Sequence, residues 1–451
     1  MKDKFLEETI ALCSKCLQRV KANIIQKEGK IFIEKFCNEH GKQIELLEEN
    51  ADYHLNKKNY DKPGNSFIPQ TKVQKGCPFD CGLCSEHQQH TCTALIEVTN
   101  ACDLKCPVCY ANSGKNNFRS LEKIEEMMDF FQKIENNKAE ILQISGGEPT
   151  MHPKIIEIIK IAKTKKFRYL MLNSNGLRIA NDEEFVKQLS QFRDRFEIYL
   201  QFDGFSEKTY KFLRGDENLL KIKLKAIENL QKYKIPITLV VTVKKGLNDK
   251  EIGKIIKFGM KTPFIRGINF QSICYFGRNP DNDFKNRITL SGIVKEIESQ
   301  AGLKKGDIVP LPCDVHSVAV SYFYKKNGKF YPLTRDFNVK SYLPIIDNTF
   351  AFDADKIIRD KKELITQPGI ICDCMKSFLK NTNSLIPDFY SKLTEEQKTE
   401  WWDNNTFRIS VVSFMDAYNF YTSSIKKECV HIITPDLKRI PFSVYNMLYR
   451  K

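Results

Sequence analysis

The sequence predicts an α/β protein built on a partial (β/α)6 TIM-type barrel, with a cysteine-rich N-terminal part and a C-terminal α+β extension. Three observations predict it. Six short runs rich in apolar and β-branched residues, at 94–98, 140–144, 169–172, 196–202, 238–243 and 267–273, recur at intervals long enough to hold a helix. Between them the stretches 121–135, 154–162, 219–233 and 252–260 carry apolar residues at helical spacing, so each crossover can cover a parallel sheet from one side. Finally, a cysteine triplet follows the first run and a Gly-Gly pair follows the second. Barrels of this kind place their chemistry at the C-terminal strand ends, which is where both motifs fall.

The 451 residues allow one large domain with appendages or two or three domains, and the cysteine motifs and strand–helix repeat divide the chain at 1–60, 61–93, 94–290 and 291–451. Most of the fifteen cysteines stand in tight pairs and triplets. That is metal-ligand spacing in a reducing cytoplasm, not a disulfide framework. Neither a signal peptide nor a transmembrane span is expected from the charged start, Met1 to Glu8. The net charge is +15, with lysines spread along the chain as on a solvated surface.

In the first segment, Cys13-x-x-Cys16 and Cys37-x-x-His40 flank two β-type runs joined by a turn at Gly29. Four such ligands suit a closed tetrahedral zinc or iron site; His40 is favoured as the fourth, the alternative being an exposed His40 beside a turn with a backbone group or distant cysteine in its place. The second segment holds Cys77, Cys81 and Cys84, with Cys92 shortly after. Cys92 is available as a fourth ligand and no strand-like run precedes Cys77, so this reads as an auxiliary iron-sulfur cluster with every iron occupied. His87 and His90 lie in the intervening loop; either could be a ligand, although loop histidines are more often solvated or bonded to backbone.

Directly after the first barrel run stand Cys102, Cys106 and Cys109, followed by Tyr110. Three thiolates at this spacing can hold three corners of a 4Fe-4S cubane and leave one iron open. After the second run comes Ser145-Gly146-Gly147-Glu148-Pro149-Thr150. Glycines there let a ligand lie against the main chain. The third run ends in Asn173-Ser174-Asn175-Gly176, suited to ribose hydroxyls, and the fourth in Gln201-Phe202-Asp203-Gly204; Asn-Gly is also an ordinary turn pair, and Asp203 could merely cap the next helix.

The Cys102 triplet and the Gly146 to Pro149 stretch together resemble the radical S-adenosylmethionine (SAM) superfamily. The resemblance implies a SAM-binding 4Fe-4S cluster on Cys102, Cys106 and Cys109, with Gly146, Gly147, Glu148 and Pro149 receiving the methionine amino group. It further implies reductive cleavage of SAM to a 5'-deoxyadenosyl radical that removes hydrogen from a substrate carbon, with no side-chain acid or base and with flavodoxin or ferredoxin as reductant. The Gly76 to Cys84 run, Tyr199 to Gly204 and Phe414 to Asn419 resemble the subgroup of tetraether synthases and class D radical methyltransferases. Members join carbon to unactivated carbon on lipid chains or on a pterin. That subgroup tends to carry further cysteines near its C-terminus. Here Cys313, Cys374 (or its neighbour Cys372) and Cys429 are candidate ligands of a third cluster, with buried unliganded thiols as the equal alternative, because Ser443 stands where a cysteine is expected; Cys274 reads as core.

The aromatic residues of the extension, among them Tyr322, Phe350, Trp401, Phe414 and Tyr421, favour a bulky lipid substrate over a pterin. A lysine-rich exterior fits peripheral contact with anionic membranes, at roughly 1 kcal/mol per basic residue near the surface. An RNA substrate is the rival from another class, and the chain carries no appended RNA-binding motif in its favour. A non-catalytic electron-transfer ribbon would have no use for the Gly146 to Pro149 stretch.

Overall fold

A computed structural model describes residues 3–64, 67–281, 283–335, 339–343, 348–350 and 392–450. Its N-terminal part is a four-stranded antiparallel sheet, β1 (Lys4–Leu12), β2 (Arg19–Lys27), β3 (Lys30–Cys37) and β4 (Gly41–Glu48), paired in sequence order. The β2–β3 turn falls at Glu28 and Gly29, both at positive φ as a tight hairpin requires. A short helix, α1 (Ala51–Lys57), follows.

The barrel begins with β5 (Thr93–Thr99) and continues through β6 (Ile141–Gly146), β7 (Tyr169–Ser174), β8 (Phe196–Gln201), β9 (Ile237–Val243) and β10 (Ile265–Ser272), each parallel to its neighbour. All six expected strands are present, and α2 (Leu121–Ile134), α3 (Ile155–Thr164), α7 (Leu219–Lys232) and α8 (Ile252–Lys261) occupy the expected crossovers. In α2, Ile124, Met127, Met128 and Phe131 are buried one helical face deep, and the Ser120 hydroxyl accepts from the Lys123 N–H at its start. Further helices lie between these elements: α4 (Leu177–Asn181), α5 (Glu183–Leu189), α6 (Glu207–Arg214) and, after β10, α9 (Leu290–Ala301).

The C-terminal extension is built into the same sheet, which reaches twelve strands. Beyond β10 come β14 (Thr406–Val412), parallel to it, then β12 (Val318–Lys326), which is flanked by β11 (Val309–Pro310) and β13 (Lys329–Pro332). On the other edge, β15 (Val430–Ile433) runs parallel to β5 and pairs with β16 (Arg439–Pro441).

Alternate strand residues divide the barrel into two environments. Ile144, Leu172, Ile198, Leu239, Ile268 and Ile409 pack outward in one apolar core under the helices. Their neighbours point into a lumen that the sheet curls around. Arg266 on β10 donates to the Tyr169 hydroxyl on β7, and the Asn269 amide to the Tyr199 hydroxyl on β8. Neither bond joins adjacent strands, so both cross the inside of the curve.

Candidate active site and metal centres

The loop of Cys102, Cys106 and Cys109 leaves β5 at its C-terminal end and is fastened to β6. Gly147 N–H donates to the Thr99 carbonyl at 2.9 Å and Glu148 N–H to the Ala101 carbonyl at 2.8 Å. This contact explains the glycines. A Cβ on Gly146 (φ +135°) would stand 2.1 Å from the Thr99 oxygen, and one on Gly147 2.2 Å from the Ala101 oxygen. Both are needed for the cysteine loop to approach, a reason the sequence reading had assigned to a ligand. The far side of the loop is held by Arg278, whose main chain pairs with Cys109 in both directions and whose Nε donates to the Cys106 carbonyl at 2.8 Å. Burial pushes the Cys102 thiol up to about 12 and raises that of Cys106, which the Arg214 guanidinium opposes.

Glu148 is buried and fully engaged. Its carboxylate accepts from the Thr150 and Ser174 hydroxyls at 2.6 and 2.9 Å and from the Asn175 N–H at 2.6 Å. Burial raises its pKa and these bonds pull it back. It therefore ties the ends of β6 and β7 together. Asn175 continues the chain of contacts, its amide donating to Asp103 in the cysteine loop at 2.6 Å. Asn173 donates to the Ser145 hydroxyl at 3.1 Å, which also meets the Tyr110 hydroxyl at 3.1 Å.

Asp203 after β8 is fully buried and receives both Nε (2.7 Å) and Nη2 (2.8 Å) of Arg214. This fork sets a guanidinium beside Cys106 and Cys109. Gln201 donates to Asp203 at 3.2 Å and accepts from the buried Lys223 at 2.9 Å; burial lowers that ammonium to about 8. Arg214, Lys223 and Arg278 were missed from sequence because isolated basic residues in a lysine-rich chain look like surface. Arg450 was missed likewise: it donates to Glu97 at 2.5 Å and to the Ala111 carbonyl at 3.4 Å. The Arg278 Nη2 and the Asn173 Oδ1 are buried without a hydrogen-bond partner among the described residues. A donor beside the cysteine loop and an acceptor at the strand ends are thus left for a bound group, so the residues present fit a cluster with its ligand.

Three further cysteine groups appear. In the N-terminal sheet, ligand atoms of Cys13, Cys16, Cys37 and His40 lie within 4.8 Å of one another. His40 Nδ1 stands 3.7 Å from Cys13 Sγ and 3.6 Å from Cys37 Sγ, spacing that suits one tetrahedral ion. Burial works against a thiolate at Cys13, yet the N–H groups of Cys16 and Lys15 and the Gln43 amide outweigh it and hold the thiol at about 6.

Cys77, Cys81 and Cys84 line one cavity with His87. Burial holds that imidazole neutral, down at about 3. Cys92 belongs elsewhere, which corrects the sequence expectation. Its thiol lies within 4.8 Å of those of Cys313 and Cys429, because β5 starts beside β15 and the Cys92 N–H donates to the Cys429 carbonyl at 3.0 Å. Cys313 and Cys429 are thus together, 3.8 Å apart, while Cys374 and Cys372 lie outside the described residues. His90 stands 3.8 Å from Cys92 and 3.4 Å from Glu140. Ser443 is fully buried and accepts from the Met415 N–H at 3.0 Å.

Two family models match the chain: the Radical SAM superfamily over residues 96–259 and the HMPTM N-terminal zinc ribbon domain over residues 5–49. The chain is 34% identical, over 99% of its own length and 94% of the relative's, to a 7,8-dihydro-6-hydroxymethylpterin dimethyltransferase of Methanocaldococcus jannaschii. This chain belongs to the radical SAM superfamily, in the subgroup of tetraether synthases and class D radical methyltransferases. A probable GTP 3',8-cyclase of Thermococcus kodakarensis is 31% identical over 37% of this radical SAM chain and 52% of its own. Among solved structures, Streptococcus suis SuiB bound to S-adenosylmethionine matches 47% of each chain at 16% identity with a TM-score of 0.38. The protein is a radical SAM enzyme, a class that uses a 4Fe-4S cluster, SAM and an external reductant.

Proposed function

We propose that this enzyme is a radical SAM methyltransferase acting on a reduced pterin. The observation that carries the reading is the likeness, along nearly the whole chain, to a dimethyltransferase of 7,8-dihydro-6-hydroxymethylpterin. It replaces the lipid expectation, which had rested on aromatic content. Of those aromatic residues, Tyr421 packs in the core of the N-terminal ribbon and Phe420 in a core with Leu12 and Met415.

The lumen supports a polar heterocycle over an acyl chain. Gln143, Tyr199, Asn269 and Ser410 point inward from their strands, and Glu197 is buried with its Oε1 lacking a hydrogen-bond partner among the described residues, 3.6 Å from Arg408. The amides and hydroxyls already pair among themselves, Asn269 with Tyr199 and Ser410 with Asn269, but the Glu197 oxygen suits a ring N–H or amino group, and an acyl chain would leave it unpaired.

In this reading Cys102, Cys106 and Cys109 hold the SAM-binding cluster, with Gly146 to Pro149, Asn173 to Asn175, Gln201 and Asp203 around it. When bound, the cluster and SAM supply a 5'-deoxyadenosyl radical, and the protein binds, orients and excludes water. Cys13, Cys16, Cys37 and His40 hold one zinc or iron ion; Cys77, Cys81 and Cys84 hold an auxiliary cluster; Cys92, Cys313 and Cys429 form a further metal centre. A flavodoxin or ferredoxin serves as reductant. The test is anaerobic incubation of reconstituted enzyme with reductant, SAM and either 7,8-dihydro-6-hydroxymethylpterin or archaeal lipid. Mass gain of methyl groups on the pterin is expected; gain or coupling on the lipid alone would refute the reading.

A further inference from the structure

The cavity lined by Cys77, Cys81 and Cys84 lacks the fourth cysteine that the sequence nominated, since Cys92 stands with Cys313 and Cys429. Three other polar residues line it: Asp80, Lys426 and His87. Asp80 is committed to its own loop, one carboxylate oxygen accepting from the N–H groups of Gln74, Lys75 and Gly76 at 2.8, 2.8 and 2.6 Å. Lys426 is an ammonium ion-paired with Glu86 at 2.9 Å, and an ammonium has no lone pair to give.

His87 is differently placed. Its ring is wedged edge-on between Phe67 and His431, with centroids 5.8 and 5.1 Å away. Its main-chain N–H donates to the Cys84 carbonyl at 3.0 Å, so the residue is turned back toward the triplet. One ring nitrogen, Nε2, stands 3.0 Å from the Glu428 carbonyl, which can only accept. The proton is therefore on Nε2, and Nδ1 carries a lone pair that no hydrogen bond among the described residues engages. A ring fixed through one N–H on a backbone carbonyl, with the other nitrogen unengaged and the residue lining the cavity of the three thiols, is the arrangement in which protein histidines bind metal.

We propose that His87, through Nδ1, is the fourth protein ligand of the auxiliary iron-sulfur cluster at Cys77, Cys81 and Cys84, a proposal that rests on the reading of this triplet as a cluster site. Imidazole in place of a thiolate removes one negative charge from the cluster. Its reduction potential then lies above that of an all-cysteine cluster in the same pocket.

The test uses the full chain, reconstituted anaerobically, reduced, and read by pulsed electron paramagnetic resonance with ordinary and heavy-nitrogen histidine. The wild type should show a histidine-nitrogen coupling on a reduced cluster. His87→Cys should keep the iron and sulfide content, lose that coupling and lower the potential of one cluster. A wild type without such coupling overturns the proposal, and so does coupling that survives in His87→Cys, which would belong to another histidine such as His90. A Cys81→Ala variant with unchanged iron content would show instead that the triplet holds no cluster, and would overturn the underlying reading as well.

Discussion

Replacing Gly147 by alanine tests why the Gly-Gly pair is there. The new methyl would stand 2.2 Å from the Ala101 oxygen and 2.8 Å from that of Asn100, both in the backbone that leads into Cys102. Ordinary contact demands that this backbone retreat by about 1 Å, since repulsion at the shorter distance exceeds any contact energy nearby. A shift of that size at a reacting centre costs on the order of 100-fold in rate. Gly147→Ala should therefore form 5'-deoxyadenosine on the order of 100-fold more slowly while holding wild-type iron, and the reduced cluster should show an altered paramagnetic signal before SAM is added. If the glycine served only to admit the ligand, the signal without SAM would be unchanged and the defect would lie in SAM affinity. That pair of results would refute the argument from loop packing.

Other outcomes follow from single contacts. Arg214→Gln leaves the fully buried Asp203 carboxylate without its fork and should destabilise the fold by about 3 kcal/mol or more, read as a lowered urea midpoint. Cys92→Ala, Cys313→Ala and the double variant should lose the same complement of metal, because the two thiols share one centre; Cys81→Ala should add to that loss. His54 is buried, and burial holds it at about 2 against an ordinary 6.5. Only the unfolded chain then takes up its proton below 6.5, so its contribution is complete above that pH and is lost as pH falls toward 2. Between 6.5 and pH ~5 this one group should remove about 2 kcal/mol, and His54→Gln should show a correspondingly smaller acid loss in denaturation midpoints.

The barrel strands and long helices were legible because burial on one or both faces writes a period into the sequence. Helix α9 was not read, although Thr289 caps it and Gly302 ends it at φ +67°. The short helices α4 to α6 span too few turns to show a stripe. At the site, spacing in the sequence can nominate groups that are close along the chain but not those joined by sheet pairing. Cys92 was assigned to its neighbours Cys77 to Cys84, whereas parallel pairing of Thr93 with Val430 delivers it to Cys429. Nothing in either stretch announces that register. Arg214, Arg278 and Arg450 act by bonding carbonyls and carboxylates that only the folded chain brings near.

The pairing of β15 with β5, and the grip of Arg450 on Glu97 and the Ala111 carbonyl, impose an order of events on biosynthesis. A ribosome delivers β5 to β10 and the whole cysteine loop long before it reaches residue 430. During that interval the edge of β5 has no partner and the loop is unclamped. Only when residues 430–450 have emerged can β15 pair with β5 and Arg450 close on the loop. Stalling translation short of residue 430 should thus yield nascent chains whose Cys102 loop remains open to thiol reagents.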